Sequence, residues 1–291
     1  MELNEQEVTT PPRPAATVVL LREGDDGLEV FMLKRHGLSD VLGGAYVFPG
    51  GKLDRADSEE ETLRHLDSPA DRLHAALGEP ELDLASACGL FVAALRETFE
   101  EAGLLFALGA QAAHAEDATR LSREGHSFAE VLERLDLPLA ASSIAPWSRW
   151  ITPRIPSVMN KRFDTRFFVA AVPEGMEARH DDHEATESLW LAPRRVLESY
   201  WRREVELAPP QIQSLAHLCR HANVEQVLAE ARSRRPPLIQ PEPFSMDGSR
   251  VIAYPGDERH PVRERALPGP LRLIHRNGRF EPLGGFDEFF D

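Results

Sequence analysis

Residues 96–104 read Arg-Glu-Thr-Phe-Glu-Glu-Ala-Gly-Leu, and this stretch decides how the rest of the chain is interpreted. Side chains three and four positions apart on a helix are neighbours, so the spacing predicts a helix with Glu97, Glu100 and Glu101 on one side. At about 3.6 residues per turn, the centre of these glutamates lies roughly 170° from the centre of the apolar side chains. Those apolar side chains are Val92, Leu95, Phe99 and Ala102. The helix therefore has one face for a core and one strongly acidic face.

The acidic face predicts a cation site. Carboxylates held this close repel one another unless a cation lies among them. Mg²⁺ and Mn²⁺ take oxygen ligands, and Mg²⁺ commonly binds one or two carboxylates together with substrate phosphates. The alternative is a solvated acidic helix face, so a second observation is needed to choose between them.

The second observation is the segment Tyr46-Val-Phe-Pro-Gly-Gly-Lys-Leu-Asp-Arg-Ala-Asp57. A short apolar strand runs into a Pro-Gly-Gly turn, and glycine lets backbone approach a ligand closely, so Gly50 and Gly51 are candidates for substrate binding. The fixed letters of Arg-Glu-x-x-Glu-Glu-x-Gly arise by chance about once per million positions. Together the two segments favour a metal and phosphate site over a solvated face.

The two segments resemble the signature of the Nudix hydrolases, G-x5-E-x7-R-E-U-x-E-E-x-G-U. Gly51 matches the first glycine, and Asp57 stands where the family usually has Glu. The second half is matched by Arg96, Glu97, Glu100, Glu101 and Gly103. The resemblance implies that the three glutamates bind metal and serve catalysis, and that Arg96 and Gly103 are structural.

One departure from the signature points to a particular branch of the family. The seven-residue gap of the signature is replaced by residues 58–95, so the signature, called the Nudix box below, is split by an insertion. A similar split occurs in the branch that resembles organellar and bacterial coenzyme A diphosphatases. That branch tends to carry Phe-Pro-Gly-Gly-x-x-Asp before the insertion and Arg-Phe-Asp-Thr-x-Phe-Phe after the box, and both are present at residues 48–54 and 162–168.

The predicted fold is α/β, a Nudix-like α/β/α sandwich around a mixed sheet. Strands are expected at residues 16–21, 28–34, 164–172 and 188–191, on both sides of the central helix in sequence. A further helix is expected after Ala192-Pro193, running through Tyr200 and Trp201. The insertion, residues 58–86, predicts one or two short amphipathic helices with breaks at Pro69 and Gly78.

Three segments are expected along the chain. Residues 1–14 are polar and predicted to be flexible, residues 15–208 form the Nudix domain, and residues 209–291 form an appendage. The appendage should contain helices near 210–221 and 224–234, followed by β-hairpins at Asp247-Gly248 and Asn277-Gly278. It could cap the site, join two subunits into a homodimer, or only pack.

Composition limits the partners. With 291 residues, 42% of them hydrophobic, the chain can bury a substantial core. A formal net charge of -15 argues against nucleic acid or an anionic membrane as a surface-wide partner. No apolar run approaches the length of a membrane span, the N-terminus lacks the apolar core of a signal peptide, and two cysteines give no disulfide framework. A cytoplasmic location is therefore expected.

Several residues outside the box are candidates for the site. Cations that suit phosphate oxygens are Arg35, Lys161, Arg162 and Arg166. Arg162 is favoured by the Arg-Phe-Asp-Thr motif, and an ion pair with Asp164 is its alternative.

The sequence also leaves open which residue is the general base and which aromatic residue stacks on the substrate. Glu97 is the first choice for the base, and Glu184 or Glu187 are alternatives as base or added metal ligand, unless they lie in an exposed loop. Trp147 and Trp150 either stack on an adenine ring or pack in the core.

The predicted reaction is the hydrolysis of a phosphoanhydride that links a nucleoside diphosphate to another moiety, dependent on Mg²⁺ or Mn²⁺. Coenzyme A or an acyl-coenzyme A is the leading substrate. The branch usually shows Leu-Leu-x-x-Arg-Ser upstream, whereas this chain has Met32-Leu-Lys-Arg-His36, so ADP-ribose or NADH is the alternative. A nucleotide-binding module without turnover should have lost the box glutamates, which are all present. An interaction protein that uses the insertion and tail is the third class.

Overall fold

A mixed β-sheet forms the centre of the protein in a computed structural model that describes residues 7–36, 43–155, 161–179 and 185–291. Within these residues the sheet has eight strands, in the order β3-β2-β1-β6-β5-β8, with β4 also paired to β1 and β7 to β2. The strands are β1 (Arg13–Gly24), β2 (Gly27–Arg35), β3 (Tyr46–Val47), β4 (Gly50–Lys52), β5 (Ile144–Ile151), β6 (Phe163–Ala171), β7 (Ala185–Leu191) and β8 (Leu238–Ile239). Strand β1 runs parallel to β6 but antiparallel to β2, so the sheet is mixed.

Helices cover both faces of the sheet. Because side chains alternate along a strand, Ala16 and Val18 of β1 belong to one buried cluster and Val19 and Leu21 to another. The helices are α1 (Glu60–Leu63), α2 (Ala70–Leu77), α3 (Leu84–Ala102), α4 (Ala112–Arg123), α5 (Phe128–Leu135), α6 (Pro193–Trp201), α7 (Pro209–Leu218) and α8 (Val224–Ser233). Helix α3 packs in the first cluster, whereas α6, α7 and α8 pack in the second. The predicted α/β/α sandwich is confirmed.

The insertion folds into the two short helices α1 and α2, as the sequence predicts. Pro69 precedes the first residue of α2, and Gly78 ends the helix with φ near 69°, a conformation that glycine adopts without strain. Leu73 and Leu77 of α2 are buried in the same cluster as α3. The insertion is therefore part of the core on that face of the sheet.

The C-terminal segment contributes to both the main sheet and a smaller one. Strand β8 pairs with β5, and α8 packs in the cluster beneath β5 and β6. The second sheet, in the order β12-β11-β10-β9, comprises β9 (Glu242–Met246), β10 (Ser249–Ala253), β11 (Arg272–Arg276) and β12 (Arg279–Pro282). The division at residue 208 stays a prediction.

The two predicted hairpins are present in the second sheet. Asp247 and Gly248 join β9 to β10, and both have positive φ, at 49° and 77°. Asn277 and Gly278 join β11 to β12 with φ of 52° and 80°. Two consecutive positive φ angles are typical of the type I′ turn, which Asp-Gly and Asn-Gly favour.

In the described ranges no helix combines the length and apolar character that crossing a bilayer requires. Both cysteines are free thiols, and Cys88 is buried in the core on the α3 face. Residues 1–6, at the start of the segment predicted to be flexible, lie outside the described residues.

Candidate active site

Helix α3 holds the acidic residues at its C-terminal end. The helix begins after Asp83, whose side chain accepts a hydrogen bond from the Ser86 N–H. It ends at Ala102, where Gly103 takes a left-handed φ of 68° that would strain most other residues. The side of α3 that packs in the core includes Phe91 and Leu95, and Glu97, Glu100 and Glu101 lie in the last two turns of the helix.

Arg96 joins the two halves of the split box. Its Nε and Nη2 donate to the two carboxylate oxygens of Asp57 at 2.8 and 2.9 Å, and both side chains are almost fully buried. Its Nη1 donates to Glu97 and to Glu100, each at 2.9 Å. Burial alone would lower the pKa of Arg96, but the contacts with Asp57, Glu97 and Glu100 outweigh it and raise that pKa. One guanidinium thus sets the positions of three carboxylates.

The Pro-Gly-Gly turn lies directly against the acidic face. The Gly50 N–H donates to Glu101 Oε2 at 2.8 Å, and Glu101 is buried. A Cβ at Gly50 would overlap the Ala16 carbonyl, and a Cβ at Gly51 would overlap the Glu97 carboxylate. Glycine at position 50 therefore lets β4 lie this close to β1, and the Glu97 carboxylate occupies the space beside Gly51.

Four carboxylates lie close together in this group. Arg96 contacts Asp57, Glu97 and Glu100, and Glu101 lies beside them at Gly50. Burial raises the pKa of Glu100 above its ordinary value, although Arg96 lowers it in part. A hard divalent cation would offset the repulsion between neighbouring carboxylates, and carboxylate oxygens are the donors that Mg²⁺ and Mn²⁺ prefer. The donor set therefore fits such an ion.

A cavity of about 610 Å³ opens beside the acidic face. Glu97 and Glu100 line it together with Gly50 and Gly51. Alternating residues of two strands form another part of the lining, namely Arg13, Ala15 and Thr17 of β1 and Phe163, Thr165 and Phe167 of β6. Arg35 and Lys161 add positive charge. The cavity thus combines carboxylates, cations and aromatic rings.

Part of the remaining wall comes from residues after 208, which the sequence assigned to the appendage. Pro209, Pro210 and Gln211 line the cavity at the start of α7, next to Ala208. Pro241 and Ile252 also line it, from the C-terminal segment. No local pattern identifies these residues, because their place depends on how the C-terminal segment folds back. For Trp150 the sequence allowed either stacking on an adenine ring or packing in the core. Its side chain lines the cavity and is mostly buried.

Two predicted substrate ligands, Arg162 and Arg166, do not line this cavity. Arg162 is buried and donates to the carbonyl oxygens of Thr152 at 3.0 Å and Thr10 at 3.2 Å. Arg166 is buried against Glu79 of the insertion, with Nε 3.0 Å from Oε1. Since Thr165 and Phe167 face the cavity, the pleat of β6 turns Arg166 to the other side. Their role in substrate binding stays a prediction, and these contacts give both a structural role.

The ion pair between Arg162 and Asp164, the alternative to a substrate contact, is not formed, because Asp164 pairs with other arginines. Asp164 accepts from Arg149 Nε and Nη2 at 2.9 and 2.8 Å and lies 3.1 Å from Arg166 Nη1. Arg149 also lies 2.7 Å from Glu79. These two arginines and two acids connect the insertion to β5 and β6.

The alternative bases lie apart from the cavity lining or outside the described residues. Glu187 of β7 accepts from Lys34 Nζ at 3.3 Å, and about half of its side chain is exposed. Burial, together with a hydrogen bond to Glu187, raises the pKa of Tyr46 to about 12. Glu184 lies outside the described residues.

A second group of metal-binding residue types lies between α7 and α8. His217 and His221 place Nε2 atoms 2.9 and 2.7 Å from the two oxygens of Glu230. The candidate ligand atoms lie within 4.8 Å of one another. Arg234 Nε already donates to Glu230 at 2.8 Å, so the carboxylate has its countercharge and we assign no metal there.

A cavity of about 790 Å³ lies elsewhere, between α2 and α8. Arg72, Arg232 and Arg235 line it, and none of the box glutamates does. It is therefore separate from the candidate active site.

Comparisons with known proteins agree with this geometry. A family model of the NUDT19 Nudix domain matches residues 9–218. In an alignment of 309 residues, the chain is 25% identical to the acyl-coenzyme A diphosphatase NUDT19 of Xenopus laevis. The alignment covers 88% of this chain and 80% of that protein. The chain is 27% identical to the protein of the same name from Homo sapiens over 296 residues, covering 87% and 76%.

A solved structure supports the fold as well. The crystal structure of a NUDIX hydrolase from Alicyclobacillus acidocaldarius is 26% identical, with a TM-score of 0.59, and the match covers 78% of this chain and 98% of that one. The residues matched by the family model include the split box and Gln211 but end before Pro241 and Ile252. The last part of the cavity wall therefore lies beyond the matched domain.

Proposed function

Because the chain belongs to the NUDT19 Nudix domain family, we propose that this Nudix diphosphatase depends on Mg²⁺ or Mn²⁺ and acts on coenzyme A or an acyl-coenzyme A. One observation carries the proposal: Glu97 and Glu100 line, beside Gly50 and Gly51, a cavity that also presents Arg35. The names of the NUDT19 relatives support the choice of substrate.

Glu97, Glu100 and Glu101 would hold the metal, since their carboxylates lie close together beside Gly50 and carboxylate oxygens suit Mg²⁺ and Mn²⁺. When bound, such an ion supplies positive charge to the diphosphate and lowers the pKa of the attacking water. Phosphoryl transfer depends mainly on positioning the reacting groups and on stabilising charge in the transition state. The protein therefore needs to form no covalent bond with the substrate.

The residues of the chain have separate tasks in this proposal. Arg96 holds the Glu97 and Glu100 carboxylates in place, and Arg35 and Lys161 contact phosphate oxygens. Glu97 accepts a proton from water as the water oxygen bonds to one phosphorus and the bridging oxygen leaves with the other, giving two phosphomonoesters. Glu184 and Glu187 stay alternatives for the base, and Glu97 is favoured over Glu187 because Glu97 lines the cavity and Glu187 does not.

A second substrate class has its own support in the sequence. The chain lacks the Leu-Leu-x-x-Arg-Ser stretch of the coenzyme A branch and has Met32-Leu-Lys-Arg-His36 in its place. Arg35 of this segment lines the cavity, so the difference falls near the proposed substrate. ADP-ribose or NADH is therefore the alternative. A binding module without turnover is disfavoured because the box carboxylates are all retained.

The test is a substrate panel. Purified protein with Mg²⁺ or Mn²⁺ is incubated with coenzyme A, an acyl-coenzyme A, ADP-ribose and NADH, and the products are identified by mass. We expect cleavage of the phosphoanhydride, fastest for coenzyme A or its acyl derivative. Faster cleavage of ADP-ribose or NADH would select the alternative, and no cleavage of any would reject the enzyme.

Two variants test the metal role. Glu100→Gln keeps the size of the side chain and should reduce kcat/KM by about 100-fold or more, because a charged ligand is lost. Glu116→Gln, on the exposed side of α4, is the matched control and should leave kcat/KM unchanged. Equal activity of the two variants would reject the metal role of Glu100.

The cellular setting is proposed separately from the chemistry. The absence of nucleic-acid or membrane partners stays a prediction, supported by the net charge of -15. A cytoplasmic location and a homodimer as candidate assembly also stay predictions.

A further inference from the structure

Gln211 is a buried amide in the wall of the candidate active site. It lies in the first turn of α7, its residue is only 7% exposed, and it lines the cavity beside Glu97 and Glu100. Across the described part of the chain, its buried Oε1 finds no hydrogen-bond partner. The Oε1 of Gln213, on the same helix, also lacks a partner, but Gln213 donates from Nε2 to the Pro270 carbonyl at 2.8 Å and does not line this cavity. A buried acceptor without a partner costs free energy, so such an acceptor in the cavity wall is a candidate contact for a ligand.

The surroundings of Gln211 indicate what kind of ligand. Trp150 and Phe167 line the same cavity, with ring centroids 6.2 Å apart and planes tilted by 51°. Phe48 also lines it and meets Phe167 edge to face. Aromatic side chains offer contact area and ring interactions to a flat heterocycle. The lining of this cavity therefore contains both a carboxamide and aromatic rings.

The chemistry of a carboxamide selects the complementary group. Glutamine presents one donor and one acceptor side by side, and this pair matches the adjacent N6 amino group and N7 of adenine. The amides of pantetheine could also bond to it, but they have no flat ring for the aromatic lining. The combination of Gln211 with Trp150 and Phe167 favours a purine base.

Gln211 and the box glutamates come from opposite faces of the sheet. Glu97 and Glu100 come from α3 on one face of the sheet, whereas Gln211 comes from α7 on the other. Pro241 and Ile252 complete the lining from the C-terminal segment. The carboxylates and the carboxamide therefore reach one cavity from opposite layers, which suits a substrate with a diphosphate and a base.

We propose that Gln211 is a specificity-determining residue that binds the amino edge of adenine in the substrate. The inference rests on the proposed function in taking the ligand to be an adenine nucleotide with a diphosphate. It adds a residue outside the Nudix box and gives the start of α7 a role in substrate selection.

The experiment compares adenine with an analogue in which the 6-amino group is replaced by hydrogen. Binding of AMP and of purine riboside 5′-monophosphate to the full chain is measured by calorimetry, together with kcat and KM for the corresponding ADP-ribose pair. The wild-type protein should bind the adenine ligand about tenfold more tightly. Gln211→Leu should remove this preference, and its effect on ADP-ribose should appear in KM rather than kcat because an interaction common to ground state and transition state is lost.

Gln213→Leu is the matched control, since Gln213 does not line the cavity. It should retain the adenine preference even if it unfolds at a lower temperature, and thermal unfolding of both variants separates folding from recognition. An equal preference for adenine in wild type and Gln211→Leu would overturn the proposal. So would a Gln211→Leu effect on coenzyme A that is absent for ADP-ribose and AMP, because the amide would then contact pantetheine.

The calorimetric readout separates this proposal from the proposed function. If the wild-type protein binds AMP with the adenine preference but cleaves no member of the panel, the proposed function fails and the role of Gln211 stands. If it cleaves coenzyme A without any adenine preference, the role of Gln211 fails and the proposed function stands.

Discussion

At the scale of single residues, Arg96 organises the candidate site. It contacts Asp57 through two nitrogens and both Glu97 and Glu100 through a third. Asp57 belongs to the segment before the insertion and Glu97 to the helix after it, so Arg96 keeps the split box together. Lysine lacks the planar fork that makes these contacts simultaneously.

The first prediction concerns this contact. Arg96→Leu should lower the free energy of unfolding by about 3–5 kcal/mol, because Asp57 would be left as a buried charge without its partner. Arg96→Lys should recover part of the loss. Urea denaturation measures both.

Arg55→Ala is the control for the loss of an arginine. The Arg55 side chain is 93% exposed and pairs with Glu59 on the surface, so its removal should leave the midpoint almost unchanged. If Arg96→Leu lowered the free energy of unfolding as little as Arg55→Ala, the burial of Asp57 would not depend on Arg96.

At the scale of elements, the insertion is attached to the sheet by buried charges. Glu79 of the insertion contacts Arg166 of β6 and Arg149 of β5, and Glu79 and Arg166 are almost fully buried. The pleat of β6 directs Arg166 to this face, whereas Thr165 and Phe167 face the cavity. We infer that this contact orients the insertion against the sheet.

The second prediction tests the coupling with a double-mutant cycle. Glu79→Gln and Arg166→Leu should each destabilise the fold, and the double variant should lose less than the sum, with a coupling of about 0.5–3 kcal/mol measured by chemical denaturation. The KM of the folded variants should change little, since neither residue lines the active-site cavity.

The exposed pair Arg120 and Glu124 on α4 is the control cycle. The changes in the free energy of unfolding for its two single variants should add up to nearly that of the double variant, because solvent screens the pair. Additivity of the Glu79 and Arg166 variants as well would show that the buried pair is not a coupled contact.

At the scale of the whole molecule, a group of buried and partly buried polar residues joins α7 and α8 to the sheet. Glu230 contacts His217, His221 and Arg234, and the His217 ring lies 4.4 Å from Trp147 of β5. Burial lowers the pKa of His217 to about 4, and Glu230 offsets this only in part. His217 is therefore neutral in the folded protein near pH 7.

The third prediction is a loss of stability in acid. The unfolded chain binds a proton at His217 below about pH 6.5, whereas the folded protein does so only near pH 4, so stability is full above pH 6.5 and falls as the pH drops toward 4. Between pH 7 and pH 5 this residue should contribute a loss of about 1–2 kcal/mol, measured by urea denaturation at each pH.

His217→Gln removes this titration and is the test variant. Its stability at pH 7 will differ from wild type, so the comparison is the change between pH 7 and pH 5, which should be smaller in the variant. An identical change in both proteins would show that His217 does not keep a lowered pKa.

Much of the fold was predictable because its signals are local. The spacing of Glu97, Glu100 and Glu101 predicted a helix with an acidic face, and α3 carries them at its C-terminal end. Pro69 and Gly78 marked the bounds of α2 because their backbone conformations suit helix ends. The hairpin turns at Asp247 and Asn277 were predictable for the same reason, since the following glycine in each allows positive φ.

The sequence by itself determined the sandwich, the split box and the acidic face, because helix spacing, turn chemistry and apolar alternation are encoded within a few neighbouring residues. Only the tertiary structure decided that Arg166 turns to Glu79 and that Gln211 and Ile252 join Glu97 at one cavity. The reason is physical: which face a side chain takes depends on the pairing register of its strand, and these cavity residues meet only after segments far apart in sequence have packed on opposite layers of the sheet.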